Sequence, residues 1–405
     1  MGERTILHAD LNNFYASVES LEHPEYRQVP LAVCGEESLR HGIVLAKNDA
    51  AKALGIYTGQ VVWQARQICP HLLVVPPHME KYREYATMAR AIYARYTDRV
   101  EPFGLDEAWL DVSGSASLFG SGRRIADRLR ADMLRETGLS ISVGVANNKV
   151  FAKLGSDMKK PNATTVLLPS EYRQTIWPLP AGEMLYVGRS ARRKLQDIGL
   201  YTIGDLARAP LGTLSALLGK WGETLHAYAN GLDDSPVAFF DHRDAIKSIG
   251  NSTTLAQNLQ NAEEIKLVFQ VLADSVSSRL RKAGLKAATL HIGVRNADLT
   301  WAGKQTKLAA PSCLFRELWE SALALYLSAF DQGNPVRALG LRCSDLRPFS
   351  EGMQMDIFSR QLRRARDENL ELAVDSLRER FGFFSVRHAS LLETAKVEQS
   401  SFQYF

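Results

Sequence analysis

The pattern of apolar and polar positions divides this chain into short alternating elements. Residues Thr5 to Ala9 form an apolar run that predicts a buried strand, and after Asn12-Asn13 the apolar Phe14, Val18 and Leu21 recur at helical spacing. Asp10 is thereby placed at a strand-to-helix junction. A second strand, Gly42 to Ala46, leads into a helix ending near Gly55, and another helix closes before Pro70. Lys81 to Arg99 is periodic as a helix, and Val100 to Val112 reads as a hairpin carrying Asp106 and Glu107. Ser121 to Gly138 is an arginine-rich amphipathic helix with Ser121 as N-cap and Gly138 as its stop. Ser140 to Ala146 alternates as a strand, and Asn147-Asn148 starts a helix running through Lys153 towards Met158. This order suits an α/β sandwich with helices on a mostly antiparallel sheet.

Around Pro178 and Pro180 the pattern changes to short helices separated by glycine: Ala191 to Ile198, Ile203 to Ala209 and Leu211 to Ala229. Such pairs can offer backbone N–H groups to a phosphate, and an ordinary helical subdomain fits the pattern equally well. The polar stretch Asp233 to Lys247 predicts a linker. Beyond it lies another α/β unit, with strands near Ile246 to Leu255, Thr289 to Val294 and Val336 to Leu341, and helices Ala262 to Ala283 and Ser312 to Ala329. A last helix is predicted over Asn369 to Phe381.

Length and charge refine this picture. At roughly 100 to 200 residues per domain, 405 residues suggest several domains. The net charge of the whole chain is only +4, whereas residues 245–348 hold 13 Lys and Arg against 8 Asp and Glu, a difference of +5. That segment is the strongest candidate for contact with a polyanion after the helical one, although a solvated face would look the same. Cys34, Cys69, Cys313 and Cys343 show neither paired spacing nor clustering with histidine, which fits a reduced, cytoplasmic protein. The chain opens without signal-peptide character and has no apolar run long enough to span a bilayer, so neither secretion nor membrane insertion is expected.

The chemistry is carried by Asp10, at the end of an apolar run, and by the adjacent pair Asp106-Glu107 inside Gly104-Leu105-Asp106-Glu107-Ala108-Trp109-Leu110-Asp111. An ionised carboxylate in an apolar strand costs several kcal/mol unless it is paired or coordinates a metal, and two neighbouring acids add repulsion. Hard oxygen donors of this kind suit Mg²⁺, which completes its shell with water and phosphate. The residues therefore point to phosphoryl or nucleotidyl transfer.

The segments Asp10-Leu11-Asn12-Asn13-Phe14-Tyr15-Ala16-Ser17-Val18-Glu19 and Leu105 to Asp111 resemble those of the Y-family translesion DNA polymerases, on their bacterial branch. Ala46 to Gly55, Gly144 to Leu154 and Asp157 to Asn162 agree in order and approximate spacing. The resemblance implies an α+β multidomain chain, a right-hand polymerase: a ferredoxin-like palm (1–10 and 79–168), small fingers (11–78), a helical thumb with a helix-hairpin-helix (169–234), a linker (235–244), an α/β little-finger domain (245–348) and a C-terminal extension (349–405).

It also implies a template-directed, low-fidelity polymerase without proofreading, joining a dNTP to the 3′-hydroxyl of primer-template DNA. Carried over by position, Asp10, Asp106, Glu107 and the main-chain carbonyl of Leu11 would hold two Mg²⁺ ions. Tyr15 would be the steric gate against the ribose 2′-hydroxyl, with Lys160 and Asn48 holding the triphosphate. Asn48 and Ala51 stand where many relatives have a tyrosine and an arginine, which implies either a lower triphosphate affinity or compensation by Lys47 or Lys52. Asn12 replaces a common acid and is not counted as a ligand, and Asp111 is read as structural. Gly188, Arg189 and Arg192 match the thumb's DNA contact, with Tyr186 replacing a usual glycine. Gln354, Ile357 and Phe358, in Gln354-Met355-Asp356-Ile357-Phe358, resemble a peptide that binds the bacterial sliding clamp. A monomer is expected, with accessory subunits left open. The competing readings are a catalytically weak or silent DNA- or clamp-binding regulator and a palm-type nucleotidyl cyclase.

Overall fold

A computed structural model describes residues 4–38, 40, 42–331, 333–349 and 360–391. Contacts divide the chain into one unit of residues 1–35 and 43–243 and another of residues 36–42 and 244–405.

The first unit opens with β1 (Ile6–Leu11) and α1 (Phe14–Glu22). A small sheet follows, made of β2 (Leu31–Cys34), β3 (Val44–Lys47) and β4 (Leu73–Val75), with α2 (Asp49–Ala53) and α3 (Val62–Ile68) between β3 and β4. The chain then forms α4 (Met79–Tyr93), β5 (Val100–Phe103), β6 (Glu107–Asp111), α5 (Ala116–Phe119), α6 (Gly122–Thr137), β7 (Ile141–Ala146), α7 (Lys149–Met158) and β8 (Thr164–Val166). These strands join β1 in a five-stranded sheet of order β5-β6-β1-β7-β8. Ser121 caps α6 by accepting from the Arg124 N–H, and Gly138 ends it at φ +73°, a left-handed turn that glycine enters without strain.

Because side chains alternate across a strand, β1 has two distinct faces. Leu7, Ala9 and Leu11 enter the core beneath α1, α4 and α6, while Ile6 packs on the opposite side with Trp109 and Phe151. His8 and Asp10 share that second face, where α7 crosses. A Cβ on Gly144 would lie 1.9 Å from the Ala152 carbonyl oxygen and 2.5 Å from the Ser156 nitrogen. Glycine is therefore required there, and its absent side chain lets α7 lie directly on the sheet.

A helical group follows: α8 (Tyr172–Thr175), α9 (Arg189–Asp197), α10 (Ile203–Arg208), α11 (Leu211–Leu218) and α12 (Lys220–Ala229). Where the sequence pattern suggests one helix over Leu211 to Ala229, Gly219 at φ +65° breaks it in two. The stretch read as a linker is strapped to this unit as far as Phe240. Val237 is buried, the Ala238 N–H donates to Glu101 Oε2 at 3.0 Å, and the Phe240 N–H donates to the Asp98 carbonyl at 2.8 Å.

The second unit contains β9 (Ser248–Leu259), α13 (Ala262–Lys282), β10 (Leu285–Asn296), β11 (Trp301–Ser312), α14 (Phe315–Ala329), β12 (Val336–Pro348) and α15 (Arg360–Phe381). Its antiparallel sheet has the order β11-β10-β12-β9, with α13 and α14 packed on one face. The polar β11 shows no strand pattern in the sequence because it is an edge strand that buries little. α15 docks through charge: Arg281 pairs with Glu371 and Asp375, Lys286 with Glu368 at 2.7 Å, and Arg378 with Asp274 at 2.8 Å.

Candidate active site

Antiparallel register puts Asp10 of β1 directly opposite Glu107 of β6, with Asp106 in the turn leading into β6. Like charges facing each other across a ladder repel, so the pair needs a counter-charge. Lys153 of α7 supplies one, its Nζ lying 3.1 Å from Asp10 Oδ2, 2.9 Å from Glu107 Oε1 and 3.3 Å from Asp157 Oδ2. Lys160 supplies the other, at 2.7 Å from Asp10 Oδ2 and 2.8 Å from Asp157 Oδ1.

The electrostatics follow from burial and crowding. Burial, with Asp10 and Glu107 nearby, pushes the Asp106 carboxyl up to about 6. Burial likewise raises Asp10, against the lowering pull of Lys153 and Lys160. For both lysines burial opposes the charge, but the surrounding carboxylates outweigh it and hold their pKa values above the ordinary lysine range. Asp157 is shifted down, because the two ammonium groups overcome its own desolvation.

These residues fit a divalent cation. His8, Asp10 and Glu107 each present a donor atom within 4.8 Å of the others, and Glu107 Oε2 is buried with no hydrogen-bond partner among the described residues. The two ammonium groups already stand where positive charge is required. Asp10, Asp106 and Glu107 would hold such a cation, and the Leu11 main chain is adjacent, its N–H donating to the Asp106 carbonyl at 2.9 Å. Asn12 is turned away, with Oδ1 accepting from Ser142 and Nδ2 donating to Ser140 Oγ. Asp111 is also engaged locally, accepting from the Ser113 N–H and hydroxyl.

Phe14 is core, whereas Tyr15 is half-buried and stacked on Tyr82 at a centroid distance of 4.1 Å. The Tyr15 phenol is shifted up by burial and by the Asp106 charge. The Tyr82 hydroxyl in turn donates to Glu19.

The structure gives the Asn48 amide other partners than a triphosphate. Asn48 caps α2: Oδ1 accepts from the Ala51 and Leu31 N–H groups, and Nδ2 donates to the Val29 and Tyr26 carbonyls. Ala51 is fully buried, so an arginine at that position would have to displace core. The bases near this helix are Lys52, which is exposed, and Lys47, whose ammonium is destabilised by burial and by the charges of Lys52 and Lys160.

Farther along this unit, Gly188 is the N-cap of α9 and offers no side-chain acceptor to its first turn. Arg189 and Arg192 are exposed there, the Arg192 stem lying over Gly182. Tyr186 adopts φ +70°, a left-handed conformation that glycine enters more readily than tyrosine. In the second unit, an open groove of about 1030 Å³ over the sheet includes His291, Lys304 and Arg342 of the strands and Arg279 of α13. Gly303, Gly293 and Gly340 are consecutive cross-strand partners, forming a strip of glycine across it with the Trp301 ring beside Gly293. Gln354, Ile357 and Phe358 lie outside the described residues.

Sequence reasoning passed over Lys153, Asp157, His8 and Ser156 as site residues. Their signal was positional: His8 precedes Asp10 by one strand repeat, and Lys153, Ser156 and Asp157 lie one helical turn apart on α7.

The chain matches the impB/mucB/samB family over residues 9–157, that family's C-terminal domain over residues 246–357, and a DNA polymerase-iota thumb domain over residues 183–233. It is 48% identical over 391 residues to the DNA polymerase IV of Acetivibrio thermocellus, covering 96% of this chain and 98% of that one. It is 37% identical over 405 residues to DNA polymerase IV 1 of Bacillus subtilis, covering 98% and 96% respectively. Among solved structures, a chimeric Y-family DNA polymerase superposes with a TM-score of 0.75 over 84% of this chain and 98% of the other; at 24% identity, that likeness speaks to the fold.

Proposed function

This chain belongs to the impB/mucB/samB family of Y-family DNA polymerases, and from that premise we propose that its carboxylate cluster performs template-directed translesion DNA synthesis with two Mg²⁺ ions. Dependence on a divalent metal, DNA and dNTP comes with the family; the identity and number of the ions are the proposal. The observation that carries it is the Asp10–Glu107 cross-strand pair, whose repulsion is balanced, among the described residues, by the ammonium groups of Lys153 and Lys160.

Bound there, the metal would supply Lewis-acid stabilisation of the primer hydroxyl and of the leaving pyrophosphate. The chain's own residues do the rest. Lys160, whose ammonium pairs with Asp10 and Asp157 at the edge of the cluster, would hold the triphosphate, with Lys52 and Lys47 alongside. Lys153 remains buried against Glu107 and Asp157 and keeps the carboxylates from repelling one another. The Tyr15 ring, backed by Tyr82, closes the space beside the sugar.

Duplex DNA fits the glycine strip and basic rim of the second unit's sheet, and the first turn of α9 fits a backbone phosphate. In this reading the palm, fingers, thumb and little finger keep the boundaries given above, and Gln354, Ile357 and Phe358 engage a sliding clamp. Replacing Ile357 and Phe358 by alanine should lower clamp affinity without changing synthesis on short primers; unchanged clamp affinity would remove that partner.

The decisive experiment is primer extension across defined lesions with Asp106→Ala and Glu107→Ala. Each should reduce incorporation at least about a hundredfold, the scale of losing one group aimed at transition-state charge, while primer-template binding persists. Activity surviving both substitutions would refute the assignment. Cyclic nucleotide products in place of extended primer would indicate the cyclase chemistry instead.

A further inference from the structure

Glu19 lies on α1 one helical turn after Tyr15, and His78 and Tyr82 stand one turn apart at the start of α4. The two pairs meet. The Tyr15 and Tyr82 rings stack at a centroid distance of 4.1 Å and an interplanar angle of 10°, and the Tyr82 hydroxyl donates to Glu19 Oε1. His78 Nδ1 lies 2.9 Å from the same oxygen. Glu19 is only 3% exposed and Tyr82 is fully buried, whereas the His78 side chain is 46% exposed.

A carboxylate buried to that degree is costly unless hydrogen bonds compensate it, and an apolar residue would serve the core better. Glu19 is not one of the donor groups gathered at the cation site. Its hydrogen bonds lead instead to the ring behind Tyr15. Burial and the bond to Glu19 both shift the Tyr82 phenol up, so the proton stays on the hydroxyl and the bond has one direction. Stacking alone tolerates a range of ring offsets. A hydroxyl-to-carboxylate bond is directional and among the stronger hydrogen bonds, so it fixes the Tyr82 ring and, through the stack, the Tyr15 ring. Because Tyr15 and Glu19 ride on the same helix, Tyr82 closes a loop that defines the position of the gate ring against α1 itself.

We propose that Glu19 is a positioning residue for sugar discrimination: by holding the Tyr82 hydroxyl it keeps the Tyr82 ring against Tyr15, and so keeps the Tyr15 ring beside the sugar. His78 steadies the carboxylate from the surface side. The inference rests on Tyr15 being the gate.

Single-nucleotide insertion on a primer-template, read as the ratio of ribo- to deoxyribonucleotide kcat/KM, tests it. Tyr82→Phe keeps the stack and deletes the hydroxyl, Glu19→Leu deletes the acceptor, and Glu19→Gln keeps an amide oxygen that can accept. The ratio should rise about threefold in Tyr82→Phe and in Glu19→Leu, the scale of one hydrogen bond, and stay near wild type in Glu19→Gln. The double variant Tyr82→Phe with Glu19→Leu should rise no further, because both changes break the same bond. The rise should come from ribonucleotide kcat/KM, with deoxyribonucleotide insertion retained. Glu22→Gln, which weakens the Lys81–Glu22 contact between the same two helices, should leave the ratio unchanged. An unchanged ratio in Tyr82→Phe, additive effects in the double variant, or equal rises in Glu19→Gln and Glu19→Leu would overturn the proposal. So would an equal rise in Glu22→Gln, which would mark a general loosening of α1 on α4. Should Glu19→Leu not fold, Tyr82→Phe against Glu19→Gln decides. Tyr15→Ala separates the two readings: a raised ratio there, with wild-type ratios in the other variants, refutes the positioning role alone, whereas an unchanged ratio removes the gate and this inference with it.

Discussion

Lys153 Nζ lies 3.1 Å from Asp10 Oδ2, joining residues 143 positions apart. Lys153 is the common partner of Asp10, Glu107 and Asp157, and its removal leaves three carboxylates with one remaining ammonium. Lys153→Met should destabilise the metal-free protein by about 3 kcal/mol, the usual cost of stripping one member from a largely buried ion pair. Millimolar Mg²⁺ should recover part of that loss. Urea denaturation with and without the metal measures both effects.

The contact between Gly144 and α7 is backbone on backbone, so Gly144→Ala cannot be absorbed by rotating a side chain. It should cost about 3 kcal/mol and displace Lys153 and Ser156 together. Polymerase activity should therefore fall more than nucleotide binding, which single-turnover kinetics would separate.

Tyr15 is held by its stack on Tyr82, which is itself tied to Glu19. Tyr15→Ala should raise ribonucleotide incorporation about tenfold or more while DNA synthesis continues, the scale of one steric contact in a specificity pocket. Tyr82→Ala should give a smaller rise in the same direction by letting the gate ring shift. Competition between ribo- and deoxyribonucleotides on a running primer reads both; unchanged discrimination in Tyr15→Ala would refute the gate.

Asp106 titrates near 6 in the folded, metal-free chain, against 3.8 for an unperturbed aspartate. Between those values the folded chain holds a proton that the unfolded chain has lost, so metal-free stability falls as pH rises through that interval. Divalent binding must displace the same proton, and its affinity should drop by up to about tenfold per pH unit below about pH 6. Calorimetric metal titration at pH 5, 6 and 7 checks the slope.

Much of this was legible in the sequence because it is local. Strand and helix periodicity located β1, β6, β7 and α7, Ser121 and Gly138 marked both ends of α6, and carboxylates stranded in apolar runs announced a cation. Other features arise from neighbours that no local pattern encodes. The edge strand β11 buries too little to alternate, and Gly219 turns a continuous helical pattern into two helices. The Asn48 amide is consumed by α2 and by the backbone of residues 26–31. By itself, then, the sequence determined which side chains could bear charge and what that charge would require. Tertiary structure decided which of them meet, since the register pairing Asp10 with Glu107 and the approach of α7 over Gly144 are long-range packing solutions.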